Sequence, residues 1–495
     1  MNTQLQVSAG DFALIAPLIL VGALAFVVLL WDAILKPTHK GSLVGMTLVG
    51  LAVAAGITAQ QWSSVGEAGQ LLFSGLIVID KFGLFTSFLV IVGTFLVVLM
   101  SRDFLEREDI HVGEYYALLL FALFGMQLLA LSSDLVMTFI GIEVMSISVY
   151  VLAAFNRSSY RCIESALKYF ILGAFASGFL LYGIALLYGH TGTTQLGEIG
   201  AKLMAGSSGP LLTIGIGMLL IGFAFKVGAA PFHMWAPDVY EGASSPVTAF
   251  MATTVKAAAF ASLVRVAVAL APSLMQVQAA IAVIAAITVV VGNVAAIRQD
   301  NLKRMLAYSG IAHTGYMFAG LLAIQPGGGL TQTAVSSIAF YLTAYVLMNL
   351  GAFVIVIMVG RKEQEPVLVS DWAGLGFKYP LLGAGLTLFM LSMGGLPPTA
   401  GFFAKFYLFA AILDAGYTWL VILAVLTSAA SFYYYLRVVV QLYMHEPQQE
   451  WTPQLSGMSK FALAVTATLT VIMGLLPSGT LSVLDWARQS VLALL

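Results

Sequence analysis

Apolar stretches about as long as a bilayer's hydrocarbon core is thick follow one another along almost the whole chain. A membrane span needs roughly 20 mainly apolar residues. Such stretches fall near 12–34, 41–60, 82–101, 114–131, 133–154, 165–189, 210–238, 246–270, 276–297, 303–323, 333–360, 380–414, 418–443 and 458–476. Composition agrees: 60% of the 495 residues are hydrophobic and only 9% are charged, against roughly 25% charged in a soluble domain. Most of the surface must therefore face lipid. The expected fold class is all-α, a polytopic membrane protein with about fourteen transmembrane helices. The first stretch, Asp11 to Ala33, has no Lys or Arg before it and no small-residue cleavage pattern after it, so it reads as a retained span. The tail from Ser478, with Asp485, Trp486 and Arg488, reads as an amphipathic helix at the interface.

The same composition excludes whole classes of function. A net charge of −1 offers no basic surface for nucleic-acid phosphates. One cysteine, Cys162, allows neither a disulfide framework nor a thiolate-held iron–sulfur cluster. No HExxH or CxxC spacing suggests a metal, and the six histidines offer no pair at matching depth for a haem. Gly327-Gly328-Gly329 lies in a loop between spans and follows no strand, so it is no phosphate cradle. No cofactor is expected in this chain.

Lys and Arg follow the odd-numbered spans: Lys36, Lys40, Arg102, Arg107, Arg157, Arg161, Arg298, Lys303, Arg304, Arg361, Lys362, Lys378 and Lys460. After even-numbered spans come only Lys81, Lys202 and Arg488. Positive loops stay in the cytoplasm, so both termini are expected on the periplasmic side of a bacterial inner membrane.

The seventh and twelfth spans are too long and are interrupted by proline, the seventh at Pro231 and the twelfth at Pro397-Pro398. Proline removes a backbone donor and clashes with the preceding turn, so each predicts a broken helix. Broken helices in opposite-sense spans are the mark of inverted repeats with a transport site between them. The expected organisation is 1–110 for helices 1–3, 111–271 for one five-helix repeat (helices 4–8), 272–444 for its inverted counterpart (helices 9–13), and 445–495 for helix 14 and the tail.

Four ionisable residues fall near mid-span: Glu143, Lys226, Lys256 and Lys405. Such charges are costly in a bilayer, face a bundle interior and mark ion or proton pathways. The competing reading, a lysine snorkelling to the headgroups, fits poorly for Lys256, deep in its span, and for Lys226, beside a break. Lysine suits a proton relay because desolvation lowers the pKa of a buried ammonium from about 10.4 while a nearby carboxylate raises it again. Glu143 is the expected carboxylate partner of Lys226. Lys168, His233 and His313 are secondary candidates, each with an ordinary alternative: an interfacial lysine or a hydrogen-bonded buried histidine. Arg265 and Arg437 are read as structural or tuning residues, because arginine hardly deprotonates. The run Tyr433-Tyr434-Tyr435 is read as packing and interfacial anchoring.

The stretch from Phe225-Lys226-Val227-Gly228-Ala229-Ala230-Pro231-Phe232-His233 through Trp235-Ala236-Pro237-Asp238-Val239-Tyr240-Glu241-Gly242-Ala243 resembles the signature of the antiporter-like subunits of respiratory complex I, the bacterial proton-pumping NADH:quinone oxidoreductase. Pro246-Val247-Thr248-Ala249-Phe250-Met251, Leu302-Lys303-Arg304-Met305-Leu306-Ala307-Tyr308-Ser309 and Leu396-Pro397-Pro398-Thr399-Ala400-Gly401-Phe402 extend the likeness, and the Pro-Asp-Val-Tyr form points to the subunit N branch. Subunit L of that family would continue into a long lateral helix. The resemblance implies that Glu143, Lys226, Lys256 and Lys405 form a proton relay entered from the cytoplasm, with Lys405 nearest the exit. It also implies that NADH, FMN, iron–sulfur clusters and quinone belong to other subunits. The implied partners are the neighbouring antiporter-like subunit M, small membrane subunits, the lipid bilayer, protons and water. Ser244 departs from the family's usual proline. Two other readings compete: a subunit of a multisubunit sodium/proton antiporter, and a non-conducting scaffold.

Overall fold

The computed structural model describes residues 9–35, 40–325, 329–362, 364–447, 450–480, 482–492 and 494. Lys36 and Gly327-Gly328 of the sequence reading lie outside the described residues. Among the described residues the regular structure is helical, apart from an antiparallel ribbon pairing Gln70–Leu72 with Ile77–Ile79. In chain order the helices that matter are α1 Ala16–Leu35, α2 Gly41–Ser64, α3 Lys81–Arg107, α4 Gly113–Leu131, α5 Leu135–Ala153, α6 Tyr160–Thr191 and α7 Pro210–Val227. They continue with α8 Trp235–Gly242, α9 Ser245–Leu274, α10 Gln278–Ile297, α11 Leu302–Ala319, α12 Gln332–Val359, α13 Pro380–Gly394, α14 Ala400–Asp414, α15 Thr418–Met444, α16 Gly457–Leu475 and α17 Val483–Val491.

Among the described residues, 12 helices are long and apolar enough to cross a membrane, where about fourteen spans are expected from sequence. The difference has two physical causes. Helix α11 occupies the expected tenth span but carries Lys303, Arg304, His313 and several hydroxyls. The expected twelfth span is two shorter helices, α13 and α14, parted at 395–399.

Helix starts are set by short polar side chains that take up otherwise orphaned N–H groups. Asp80 caps α3 by accepting from the Gly83 N–H, Asp134 caps α5 at Val136 and Met137, and Asn301 caps α11 at Arg304. Asp80 has a second task. Arg265 of α9 donates to both of its carboxylate oxygens, at 2.6 and 2.8 Å, and to the Ala130 carbonyl at 3.0 Å. That fork pairs a buried charge on both sides and ties α3, α4 and α9 together.

Helix α12 is the centre of the bundle, buried along almost its whole length and packed on α3, α9, α13, α14, α16 and α17. The outer helices α1, α2, α15 and α16 are only about a third buried and turn apolar faces outward. Helix α11 lies close against α10: a β-carbon on Gly292 would stand 2.5 Å from the Ala312 nitrogen, so only glycine permits this approach. The tail helix α17 buries Leu484, Ala487 and Val491 and packs against α3 and α12.

Candidate functional site

Two interruptions organise the interior. Helix α7 ends at Val227, with Gly228 left-handed at φ 76°; α13 ends at Gly394, with Gly395 left-handed at φ 94°. In both, the next amides fold back on the last turn: Ala229 N–H to Ala224 O at 2.7 Å, and Leu396 N–H to Leu391 O at 3.0 Å. A left-handed glycine closes a helix end in this way without steric cost, and the prolines that follow stop it from continuing. Two helix C-termini are thereby delivered into the interior, with carbonyls pointing at whatever lies beyond.

The lysines gather around these ends. Lys226 stands in the last turn of α7, 6% exposed, and its Nζ donates to Ser146 Oγ at 2.8 Å and to Tyr150 OH at 3.2 Å, both on α5. Glu143 lies on the same helix, one turn before Ser146. It is half-buried and accepts a hydrogen bond from Ser177 of α6. No ion pair joins Glu143 to Lys226; the Ser146 hydroxyl takes the place that the sequence reading gave to the carboxylate.

Lys256, 4% exposed, directly follows a π-helical turn at Met251–Val255 in α9. Its Nζ donates to the Gly310 carbonyl of α11 at 3.0 Å and lies 5.5 Å from the Tyr345 ring centre. Lys405, 6% exposed on α14, reaches back across the second interruption. It donates to Met393 O at 2.9 Å, Gly394 O at 2.7 Å and Ser428 Oγ at 2.8 Å. The first two acceptors are last-turn carbonyls of α13, where the helix dipole is negative, so the ammonium is a C-terminal cap.

Helix α11 connects these points. Thr314 donates to Val227 O at 2.8 Å, sealing the end of α7, and Gly310 O receives Lys256. His313 Nδ1 meets Tyr341 OH at 2.5 Å, and its Nε2 meets Tyr435 OH at 3.2 Å. Tyr435 in turn bonds Ser309, while Tyr434 donates to Asn293, which donates to Tyr316; the Tyr316 ring centre is 5.7 Å from Lys405 Nζ. Helix α11 therefore holds Lys256 and His313, meets the end of α7 just past Lys226 through Val227 O, and reaches toward Lys405 through Tyr316, with Glu143 at the flank of Lys226. Lysine, histidine and hydroxyl groups each accept and donate protons, so such a row can pass them along.

Two secondary candidates stand apart. Lys168 is exposed and paired with Glu164 at 2.9 Å and Asp238 at 3.1 Å. His233 sits half-buried after the first interruption, with Nδ1 unpartnered and no bond to the row. The tyrosine run divides: Tyr434 and Tyr435 are fully buried and packed, with hydrogen bonds to Asn293 and to Ser309 and His313, and of the three Tyr433 alone is exposed. Arg437 reaches Asp300 at 3.3 Å and the Gln299 carbonyl, away from the lysines.

On the face of the bundle that holds Arg161 and Lys303, a polar cavity of about 760 Å³ opens between the loops. Glu241, Asn301, Lys303 and Glu365 line it, and the buried Lys303 donates to Ala243 O at 2.7 Å and to Glu365 at 3.4 Å. Among the described residues no cluster of His, Cys, Asp and Glu has the arrangement of a metal site.

Residues 132–431 match the family described as NADH:quinone oxidoreductase/Mrp antiporter, TM. The NADH-quinone oxidoreductase subunit N of Trichlorobacter lovleyi is 43% identical over 482 residues, 96% of each chain. A chain of respiratory complex I from Thermus thermophilus is similar with a TM-score of 0.79 at 36% identity, over 93% of this chain and 97% of that one. A chain of the Mrp complex from Dietzia sp. DQ12-45-1b shares the fold, with a TM-score of 0.86 at 19% identity over 98% of both chains.

Proposed function

The chain belongs to the NADH:quinone oxidoreductase/Mrp antiporter transmembrane family, on the subunit N branch, and from that premise we propose that Glu143, Lys226, Lys256, His313 and Lys405 carry protons across the membrane. The protein is a multi-pass membrane subunit of a proton-translocating NADH:quinone oxidoreductase, and other membrane subunits of that complex are its partners. Electron transfer from NADH to quinone, with its flavin and iron–sulfur clusters, belongs to other subunits. This chain receives the free energy of that reaction as a coupling that biases its charge states.

The observation that carries the reading is the setting of the lysines. Lys226, Lys256 and Lys405 are each 6% exposed or less, and each is held by neutral oxygens with no carboxylate in ion-pair contact. A scaffold has no use for three such charges, since apolar residues would pack there at lower cost. Glu143, one turn from the Ser146 that holds Lys226, is placed to act as a switch. Its approach keeps the proton on the lysine and its withdrawal releases it.

Protons enter from the cytoplasmic side, where the polar cavity lies, and leave past Lys405. Both termini are periplasmic, 111–271 and 272–444 are inverted repeats about the row, and the nearest large partner is the antiporter-like subunit M. The test is Lys226→Ala in the assembled complex, with NADH-driven quinone reduction and proton pumping measured in the same membranes. Pumping falls at least about tenfold, the effect of a 1.4 kcal/mol rise in one proton-transfer barrier. Unchanged pumping with normal turnover sinks the relay and leaves the scaffold.

A further inference from the structure

A lysine ammonium has three N–H donors, and the three buried lysines use different numbers of them. Lys405 finds three protein acceptors and Lys226 two, but Lys256 finds one, the Gly310 carbonyl. Beside it stands the hydroxyl of Tyr345, a residue of α12 that is 1% exposed and whose OH has no hydrogen-bond partner. A buried hydroxyl left unpaired is costly, and native structures rarely leave one so.

The two groups face one recess. A β-carbon built on Gly310 would lie 2.6 Å from Tyr345 OH and 3.1 Å from Lys256 Nζ, so both polar groups crowd the space that the missing side chain leaves over the Gly310 Cα. They make no hydrogen bond with each other. The polar stripe of α12 extends on both sides at one-turn spacing, to Tyr341 on His313 and to Asn349, whose Oδ1 is likewise buried and unpartnered. The Tyr345 and His313 rings lie 5.3 Å apart.

We propose that Tyr345 is a positioning residue for proton transfer at Lys256, its unpaired hydroxyl orienting a water molecule against the unused N–H groups of the ammonium, on the side that leads to His313. The inference rests on the relay reading of Lys256. In the step, an N–H bond of the ammonium breaks and an O–H bond to the water forms, leaving a neutral amine. The water gives up one of its own protons to the unprotonated ring nitrogen of His313, whose tyrosine partner turns aside as the new N–H bond forms and leaves an imidazolium; Tyr345 keeps its proton throughout. The hydroxyl supplies the orientation that a lone water in an apolar pocket lacks.

The experiment uses the assembled complex in membranes, with Tyr345→Phe, Gly310→Ala and Lys256→Ala measured side by side for subunit content, NADH-driven pumping across a pH series, and solvent deuterium isotope effect. Phenylalanine keeps the ring and removes only the hydroxyl, so assembly is preserved. The expected result is a loss of pumping of roughly fivefold in Tyr345→Phe, with an altered pH profile and a larger isotope effect. Gly310→Ala, whose β-carbon displaces both polar groups, moves in the same direction; should it fail to assemble, Tyr345→Phe decides alone. Full pumping in Tyr345→Phe while Lys256→Ala is inactive overturns this inference and leaves the relay standing. A loss that is uniform over pH with an unchanged isotope effect also overturns it, as mere packing. Normal pumping in Lys256→Ala overturns the relay reading itself.

Discussion

The two helix interruptions share a backbone device and use their lysines in opposite ways. At the first, Lys226 precedes the break and points sideways to α5, and the freed carbonyls are sealed by other residues: Trp235 Nε1 donates to Phe225 O at 3.0 Å and Thr314 to Val227 O. At the second, Lys405 follows the break and itself seals Met393 O and Gly394 O. The first lysine is free of any structural duty and has a carboxylate one turn away from its acceptor. The second is part of the joint. The two lysines divide the labour: Lys226 can change its contacts at little cost to the fold, and Lys405 is bound to the state of its helix end.

Removing each lysine, with stability followed as well as pumping, separates the two roles most strongly. Lys405→Ala orphans two buried carbonyls, a penalty of about 1–3 kcal/mol each, so the assembled complex should melt lower or lose this subunit in detergent. Lys226→Ala leaves only hydroxyls, and Ser146 already donates to the Ile142 carbonyl, so thermal stability should hardly move while pumping is lost. Equal destabilisation in both variants would erase the distinction.

A smaller contrast lies in the glycines. Alanine at either position pays about 1–2 kcal/mol for a left-handed backbone. At Gly395 its β-carbon would also come 3.1 Å from Lys405 Cδ, whereas at Gly228 nothing stands within 4 Å. Gly395→Ala should therefore impair pumping and stability together, and Gly228→Ala stability alone; melting curves and pumping of the two variants check the order. The smallest effect is expected from Ser146→Ala, which removes one of two acceptors of Lys226. A net loss of about 1 kcal/mol corresponds to roughly fivefold in rate, and steady-state pumping should show it with assembly untouched.

The four principal relay candidates were visible because a charge inside an apolar run has few harmless explanations. The same logic found the interruptions, since proline is unambiguous in a span. Contacts were not visible. Sequence spacing cannot tell that Ser146 rather than Glu143 meets Lys226, because the answer depends on how α7 is rotated against α5. A row of tyrosines in an apolar helix reads as packing and interfacial anchoring, because it fits the membrane interface as well as an interior. Only the packing of α15 against α10 and α11 puts the Tyr435 hydroxyl on Ser309 and His313. Gly310 matters through the side chain it lacks, which leaves no trace in composition or period; Tyr345 falls in a Tyr341, Tyr345, Asn349 series at one-turn spacing, but that its hydroxyl has no partner shows only in the packing.

Helix α11 carries the row's connections, and for that reason it is not apolar enough to count among the candidate spans. Its polarity has a price during biogenesis. A segment with two cations in its first turn and a histidine further along gains too little from lipid to partition on its own as it leaves the translocon. Its natural escort is α10, which precedes it, is strongly apolar and packs along it through Gly292. The hairpin of the two can enter as one unit, its polar side chains turned away from the acyl chains. The polarity of α11 thus also makes the order of synthesis matter: a nascent chain stalled inside α11 would hold a segment with no stable place in the bilayer until α14 and α15, which pack on it, arrive.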